Sequence, residues 1–288
     1  GDITLIDWLP DSPDTQSGAP ILIILPGMEG SSRSKYARLL LNYAANQGWR
    51  AAVLHLRDCG GLDNKLPRRY HSGETNDLRF LINSLRSNRE ERDTQFFAAG
   101  FSLGGNILLK YLGEEGTNSG LTAAVGISVP LNLHHSAERL SKGFSKIYQF
   151  LFIKTMKKRL RRKFEPNTTA FDWQRTMSAK TFADIDDAVS APLHGFSGKD
   201  EYYELCSSIN FLPQIHTPTL IINALDDPFT TPEAIFNATD IPKNVQIELP
   251  LKGGHIGFIN GGSPWKPTYY LPNRIIGFLD RHLNNSLK

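Results

Sequence analysis

The 288-residue chain has little cysteine: only Cys59 and Cys206. Two thiols so far apart in sequence make neither a disulfide framework nor a metal-ligand cluster, and a reducing, cytoplasmic setting is the plainer expectation. No run of about 18 apolar residues is present, so no membrane-crossing helix is expected. The chain opens G-D-I-T, without the basic-then-apolar pattern of a signal peptide and without an initiator Met, as trimming of an upstream segment would leave it. The formal net charge is only +3, too small to point to nucleic acid. Internal repeats and low-complexity tracts are missing. What remains is ordinary globular composition, with 40% hydrophobic and 21% charged residues.

Ile21 to Leu25 (I-L-I-I-L) and Thr219 to Ala224 (T-L-I-I-N-A) are short and mostly apolar, as strands covered on both faces are. Ala51 to Leu56, Phe96 to Ala99 and Ala123 to Val129 are further candidates. Helical spacing lies between them. Ser34 to Gln47 places Tyr36, Leu39, Leu40 and Tyr43 at steps of three and four, and stops at Gly48. Thr75 to Asn88 repeats the pattern with Leu78, Leu81, Ile82 and Leu85; Asn106 to Leu112 stops at Gly113. Strands alternating with helices predict an α/β fold with a mostly parallel central sheet flanked by helices. The alternation fails from Leu131 to about Gly195, where the chain is helical, basic and aromatic. The expected organisation is therefore a core of residues 1–130 and 196–288, with residues 131–195 inserted as a helical lid.

Gly100 to Gly104 reads G-F-S-L-G. In G-x-S-x-G the serine sits on a tight strand-to-helix turn that holds its hydroxyl out at the sheet edge. Three fixed positions arise by chance in a glycine-rich chain. The context is more specific: F-F-A-A-G precedes as a buried strand, and N-I-L-L-K-Y-L follows as a helix. Ser102 is the expected nucleophile. A neutral hydroxyl needs a base, and His255, in G-G-H-I-G-F, is the candidate among eight histidines. An acid should fall between serine and histidine in the chain. Asp226 and Asp227 both end the strand at Thr219, just before Pro228. Asp227 is expected to orient the base. Asp226, the alternative acid, is then a turn or capping residue. The backbone N–H groups of Leu103 and of Met28, in L-P-G-M-E-G-S-S, are the candidate oxyanion donors.

Taken together, the chain resembles the YheT-like, or EMB8-like, branch of the α/β-hydrolases, related to the animal abhydrolase-domain proteins 1, 2 and 3. The segments that carry the resemblance are P-G-M-E-G-S-S at Pro26, R-D-C-G-G at Arg57, R-Y-H-S-G-E-T-N-D-L at Arg69, G-F-S-L-G-G-N at Gly100, A-P-L-H-G-F at Ala191, A-L-D-D-P-F at Ala224 and G-G-H-I-G-F at Gly253. The resemblance implies an eight-stranded, mostly parallel sheet and a triad of Ser102, Asp227 and His255. It also implies an acyl ester as substrate, in some members a lipid. The chain departs from the family at Asp58, where glycine is common; the family usually has a further segment before G-D-I-T, for which completing a strand or contacting a membrane are the expected roles. Tyr70, His71 and Ser72 are expected to serve the entry to a helix.

The run Lys154 to Lys163 (K-T-M-K-K-R-L-R-R-K) follows I-Y-Q-F-L-F-I. Such a pair reads either as a solvated helix face or as a peripheral contact with an anionic membrane. Phe144, Tyr148, Phe150 and Phe152 read as an apolar acyl pocket or as lid core. The function these features predict is a serine hydrolase of carboxylic esters, without cofactor or metal. An acyltransferase with the same triad and a non-catalytic binding protein on the same fold are the alternatives. Oligomeric state is not encoded in any recognisable pattern.

Overall fold

The computed structural model describes residues 1–10, 15, 18–166, 170–231, 240–263 and 265–283. Its centre is a seven-stranded sheet in the order β1-β3-β2-β4-β5-β6-β7. The strands are β1 (Ile6–Trp8), β2 (Ile21–Leu25), β3 (Arg50–Leu54), β4 (Phe96–Phe101), β5 (Ala123–Ile127), β6 (Thr219–Ile222) and β7 (Val245–Glu248). Only β1 runs antiparallel, pairing Ile6 with Leu54 at one edge. Every residue of β2, β4, β5 and β6 is buried, which explains their continuous apolar runs. A separate hairpin, β8 (Ile259–Ser263) with β9 (Lys266–Tyr269), lies outside this sheet. The eight-stranded sheet implied by the resemblance therefore has seven strands among the described residues.

Helices cover both faces. On one, α2 (Asn76–Ser87) and α3 (Leu103–Glu115) pack Leu78, Leu81, Ile107 and Leu108 against Ile21, Ile23 and Ala98. On the other, α1 (Lys35–Asn46) and the C-terminal α10 (Tyr270–Asp280) pack Leu40, Ile275 and Phe278 against Leu22, Ile24 and Val125. Cys59 and Cys206 are both buried free thiols, and burial pushes each up to about 12.

Residues 131–195 are helical wherever they are regular: α4 (Leu133–Leu140), α5 (Ser145–Lys163), α6 (Trp173–Ser178), α7 (Phe182–Ile185), a π-helical turn (Asp186–Ser190) and α8 (Ala191–Leu193). They have their own apolar core of Leu140, Ile153, Met156, Leu160, Phe171, Phe182 and Ile185. Phe229 and Met28 of the sheet loops join that core, so it is continuous with the carboxyl edge of the sheet. The next helix is α9 (Lys199–Cys206).

Candidate active site

Four loops at the carboxyl ends of parallel strands converge on one point, the usual place for a site in an open α/β sheet. The loop after β2 brings Met28, the turn after β4 brings Ser102, the loop after β6 brings Asp227 and the loop after β7 brings His255. Ser102 has φ +50° and ψ −118°, a left-handed conformation costly for a side-chain-bearing residue. Its N–H donates to the Ile127 carbonyl at 2.8 Å, which holds the turn against β5. The flanking glycines make this geometry possible. A Cβ at Gly104 would lie 2.4 Å from the carbonyl oxygens of Leu25 and Pro26, and one at Gly100 would lie 2.5 Å from that of Gly104.

His255 Nε2 lies 2.8 Å from Ser102 Oγ, and Nδ1 lies 3.0 and 2.9 Å from the two carboxylate oxygens of Asp227. A proton on Nδ1 gives Asp227 an N–H to accept and leaves Nε2 bare to accept from the serine. The Asp227 side chain is fully buried and accepts a second bond from the Phe229 N–H at 2.8 Å. Phe229 also stacks on the imidazole, ring centroids 4.0 Å apart. Asp226 points elsewhere: its Oδ1 accepts from the N–H groups of Gly253 and Gly254, each at 2.8 Å. The two adjacent carboxylates thus divide the work, one on the histidine ring and one on the loop that carries it.

Met28 and Leu103 both line the cavity in front of Ser102. A Cβ on Gly27 would sit 3.2 Å from Ser102 Cβ, so the β2 loop passes tightly against the serine turn. The Gly27 N–H is held by the Tyr36 hydroxyl at 3.0 Å. Glu29, with φ +60°, follows Met28 and enters a buried ionic cluster that sequence reasoning did not find. Its Oε1 accepts from the Tyr70 hydroxyl at 2.8 Å and from Arg69 at 3.2 Å, and its Oε2 pairs with Arg159 of α5. Asp58, φ +68°, accepts from Arg69 at 3.3 Å and from Lys163 at 2.8 Å. A positive φ is one that glycine adopts freely; this chain uses the position for a carboxylate.

The cluster changes how the basic run is read. Arg159 and Lys163 are spent on Glu29 and Asp58, Lys157 on the carbonyls of Met177 and Ala179 at 2.8 and 2.6 Å, and Arg162 on Asp63 at 3.0 Å. Lys154, Lys158 and Arg161 face solvent. Of the four aromatics, Phe152 lines the cavity, Tyr148 packs on Phe229, and Phe144 and Phe150 are 69% and 62% exposed. Tyr70, His71 and Ser72 do more than precede α2. Tyr70 holds Glu29, the His71 ring packs against that of His194 with centroids 4.4 Å apart, and Ser72 lines the cavity. Burial lowers His71 to about 4 and His194 to about 3, so both are neutral at physiological pH.

The cavity has a volume of about 400 Å³. Its walls come from the sheet loops and from residues 131–195, which add Leu133, Leu140, Phe152 and Phe182 on the apolar side and Asp186 on the polar side. Among the described residues lining it there is no lysine or arginine.

The sheet order, the strained serine turn and the Ser–His–Asp arrangement define an α/β-hydrolase, and the chain belongs to that family: its sequence profile, described as the alpha/beta hydrolase fold, matches residues 20–262. Within the family the chain is 36% identical over 98% of its length to YheT of Escherichia coli, named as a candidate esterase, and covers 83% of that protein. It is 32% identical to the monoacylglycerol lipase ABHD2 of Mus musculus and 30% identical to the phospholipase ABHD3 of Homo sapiens. Those matches take in 83% and 93% of this chain but only 60% and 66% of the two mammalian proteins. The esterase Pf2001 of Pyrococcus furiosus has the same fold, with a TM-score of 0.63 over 99% of this chain and 91% of that one, at 16% identity. No helix among the described residues is long and apolar enough to cross a membrane.

Proposed function

We propose that the chain is a serine hydrolase of carboxylic esters, in which Ser102 carries the acyl group. The observation that carries this reading is the 2.8 Å contact between Ser102 Oγ and a histidine whose far nitrogen rests on a buried carboxylate. Ser102 attacks the acyl carbonyl and His255 Nε2 takes its proton. Asp227 fixes the tautomer and stabilises the imidazolium. The N–H groups of Met28 and Leu103 receive the oxyanion. His255 returns the proton to the departing alcohol, and water then repeats the sequence on the acyl-enzyme. The relatives named as esterases and lipases support the same chemistry. Residues 131–195 act in this reading as a lid that excludes water and supplies the acyl wall. An alcohol admitted in place of water would make the enzyme an acyltransferase.

A fluorophosphonate probe tests the reading. Labelling is expected on the unmodified protein and should vanish in Ser102→Ala, with turnover of p-nitrophenyl esters vanishing too. Folded protein that neither labels nor turns over any ester of the series would reverse the conclusion in favour of a binding role.

We also propose peripheral contact with an anionic lipid surface through α5. The support is that Phe144, Ile147, Phe150 and Leu151 are exposed at its start, with Lys154 exposed one turn on. Binding to vesicles containing phosphatidylserine should weaken on Phe150→Ser; vesicle binding that ignores this change and Lys154→Ala counts against it.

A further inference from the structure

One group on the cavity wall has no part in the acyl chemistry. Asp186 opens the π-helical turn Asp186–Ser190 and lines the same chamber as Ser102 and His255. Its Oδ1 accepts from the Ser190 hydroxyl and its Oδ2 from the Tyr203 hydroxyl, each at 2.7 Å. Both hydroxyl partners are neutral. A carboxylate offers about four acceptor positions, and hydroxyl donors take two of them here. Asp186 is half-buried, and carboxylates withdrawn from water are ordinarily matched by a cation, because desolvation is otherwise uncompensated. The other acid on the wall, Glu29, is matched in that way by Arg69 and Arg159. Asp186 is left with acceptor capacity and a hydroxyl scaffold that fixes its orientation. Single π-helical turns are concentrated at functional sites, since the extra residue re-aims a side chain.

The surroundings select what would use that capacity. The ligand group must be a hydrogen-bond donor. An anionic group is opposed by the Asp186 carboxylate, with no lysine or arginine among the described lining residues to offset it. Leu133, Leu140, Phe152 and Phe182 leave the rest of the wall to the acyl chain.

We propose that Asp186, oriented by Tyr203 and Ser190, is a subsite for a free hydroxyl on the alcohol portion of the ester, so that the enzyme favours neutral hydroxylated esters over plain alkyl or anionic ones. The proposal rests on the reading of Ser102 as acyl carrier.

The test uses a size-matched pair, 2-hydroxyethyl and n-propyl esters of one fatty acid, together with the two corresponding ethers, which cannot be cleaved. The ratio of kcat/KM for the hydroxyethyl over the propyl ester should exceed one in the unmodified protein. It should fall by about 10-fold or more in Asp186→Asn, the scale of one hydrogen bond to a charged group. Tyr203→Phe, which removes one orienting donor, should lower the ratio by less. The ratio of ether affinities, read by calorimetry on Ser102→Ala, should fall in parallel when Asp186→Asn is added. A carboxymethyl ester should be the poorest substrate. Ratios that stay unchanged in Asp186→Asn overturn the proposal, as does a carboxymethyl ester that competes equally. Ether preference that depends on Asp186 without any ester turnover would retain the subsite and remove the hydrolase reading.

Discussion

Ser102 is held at φ +50° in a turn whose glycines leave no room for a Cβ, and the residues that serve it are specialised to a similar degree. Asp227→Asn keeps the shape but favours the wrong imidazole tautomer, so kcat should fall by roughly 10⁴-fold, as in other triads. Asp226→Ala frees the Gly253 and Gly254 N–H groups instead; a smaller loss of kcat is expected, with a less ordered His255 loop in hydrogen exchange. Equal losses in the two variants would contradict the division of roles. Asp186 gives a prediction in pH. Burial raises its carboxyl to about 6, partly opposed by the bonds from Ser190 and Tyr203. A folded value above the unfolded one means that the charged form costs stability, with the cost growing from about pH 4 to pH 6 and constant above. Asp186→Asn should therefore be more stable than the unmodified protein at pH 7.5, by up to about 2 kcal/mol. That gain should shrink toward pH 4 in thermal melts. The serine and histidine were legible because glycine patterns advertise them. Asp186 was not, since D-I-D-D-A-V carries no local signal and its partner Tyr203 comes from another helix.

The helix α5 shows how far periodicity reaches. Its existence followed from composition, but the destination of its charges did not, because Glu29 and Asp58 lie more than 90 residues earlier in the chain. Arg159 meets the carboxylate next to Met28, so α5 and the loop after β2 are coupled through a buried ion pair. Removing one partner of such a pair leaves an under-compensated charge, and Arg159→Met should cost on the order of 3 kcal/mol. If the pair also positions the Met28 N–H, kcat will fall with KM little changed, and Arg159→Lys will recover part of it. A stability loss with unaltered kcat would confine Arg159 to a structural role. The strands β2 to β6 were legible as apolar runs. The edge strand β1 and the hairpin β8–β9 were not: β1 is three residues long and mostly exposed, and β8 carries two glycines and no buried residue.

At the scale of the whole molecule, the loops of the parallel sheet carry Ser102, Asp227 and His255, and the helical excursion supplies about half of the apolar wall. Substrate length should register in that division. Each methylene that enters the apolar part of the chamber is worth about 0.8 kcal/mol, or roughly a fourfold gain in kcat/KM. The gain should continue along a series of p-nitrophenyl esters until the chamber is full and then stop. A flat profile from short to long chains would mean that the acyl group lies outside the cavity. The topology behind this was legible from the alternation of elements, whereas the depth and polarity of the chamber were not, since its wall is gathered from distant segments. The absence of lysine and arginine from the described lining has a consequence for the end of each cycle. Deacylation creates a carboxylate anion in the chamber that Asp186 also lines, with no lysine or arginine among the described lining residues to retain it. The enzyme should expel its acid product readily, so free fatty acid will be a weak inhibitor and progress curves will stay linear late into the reaction.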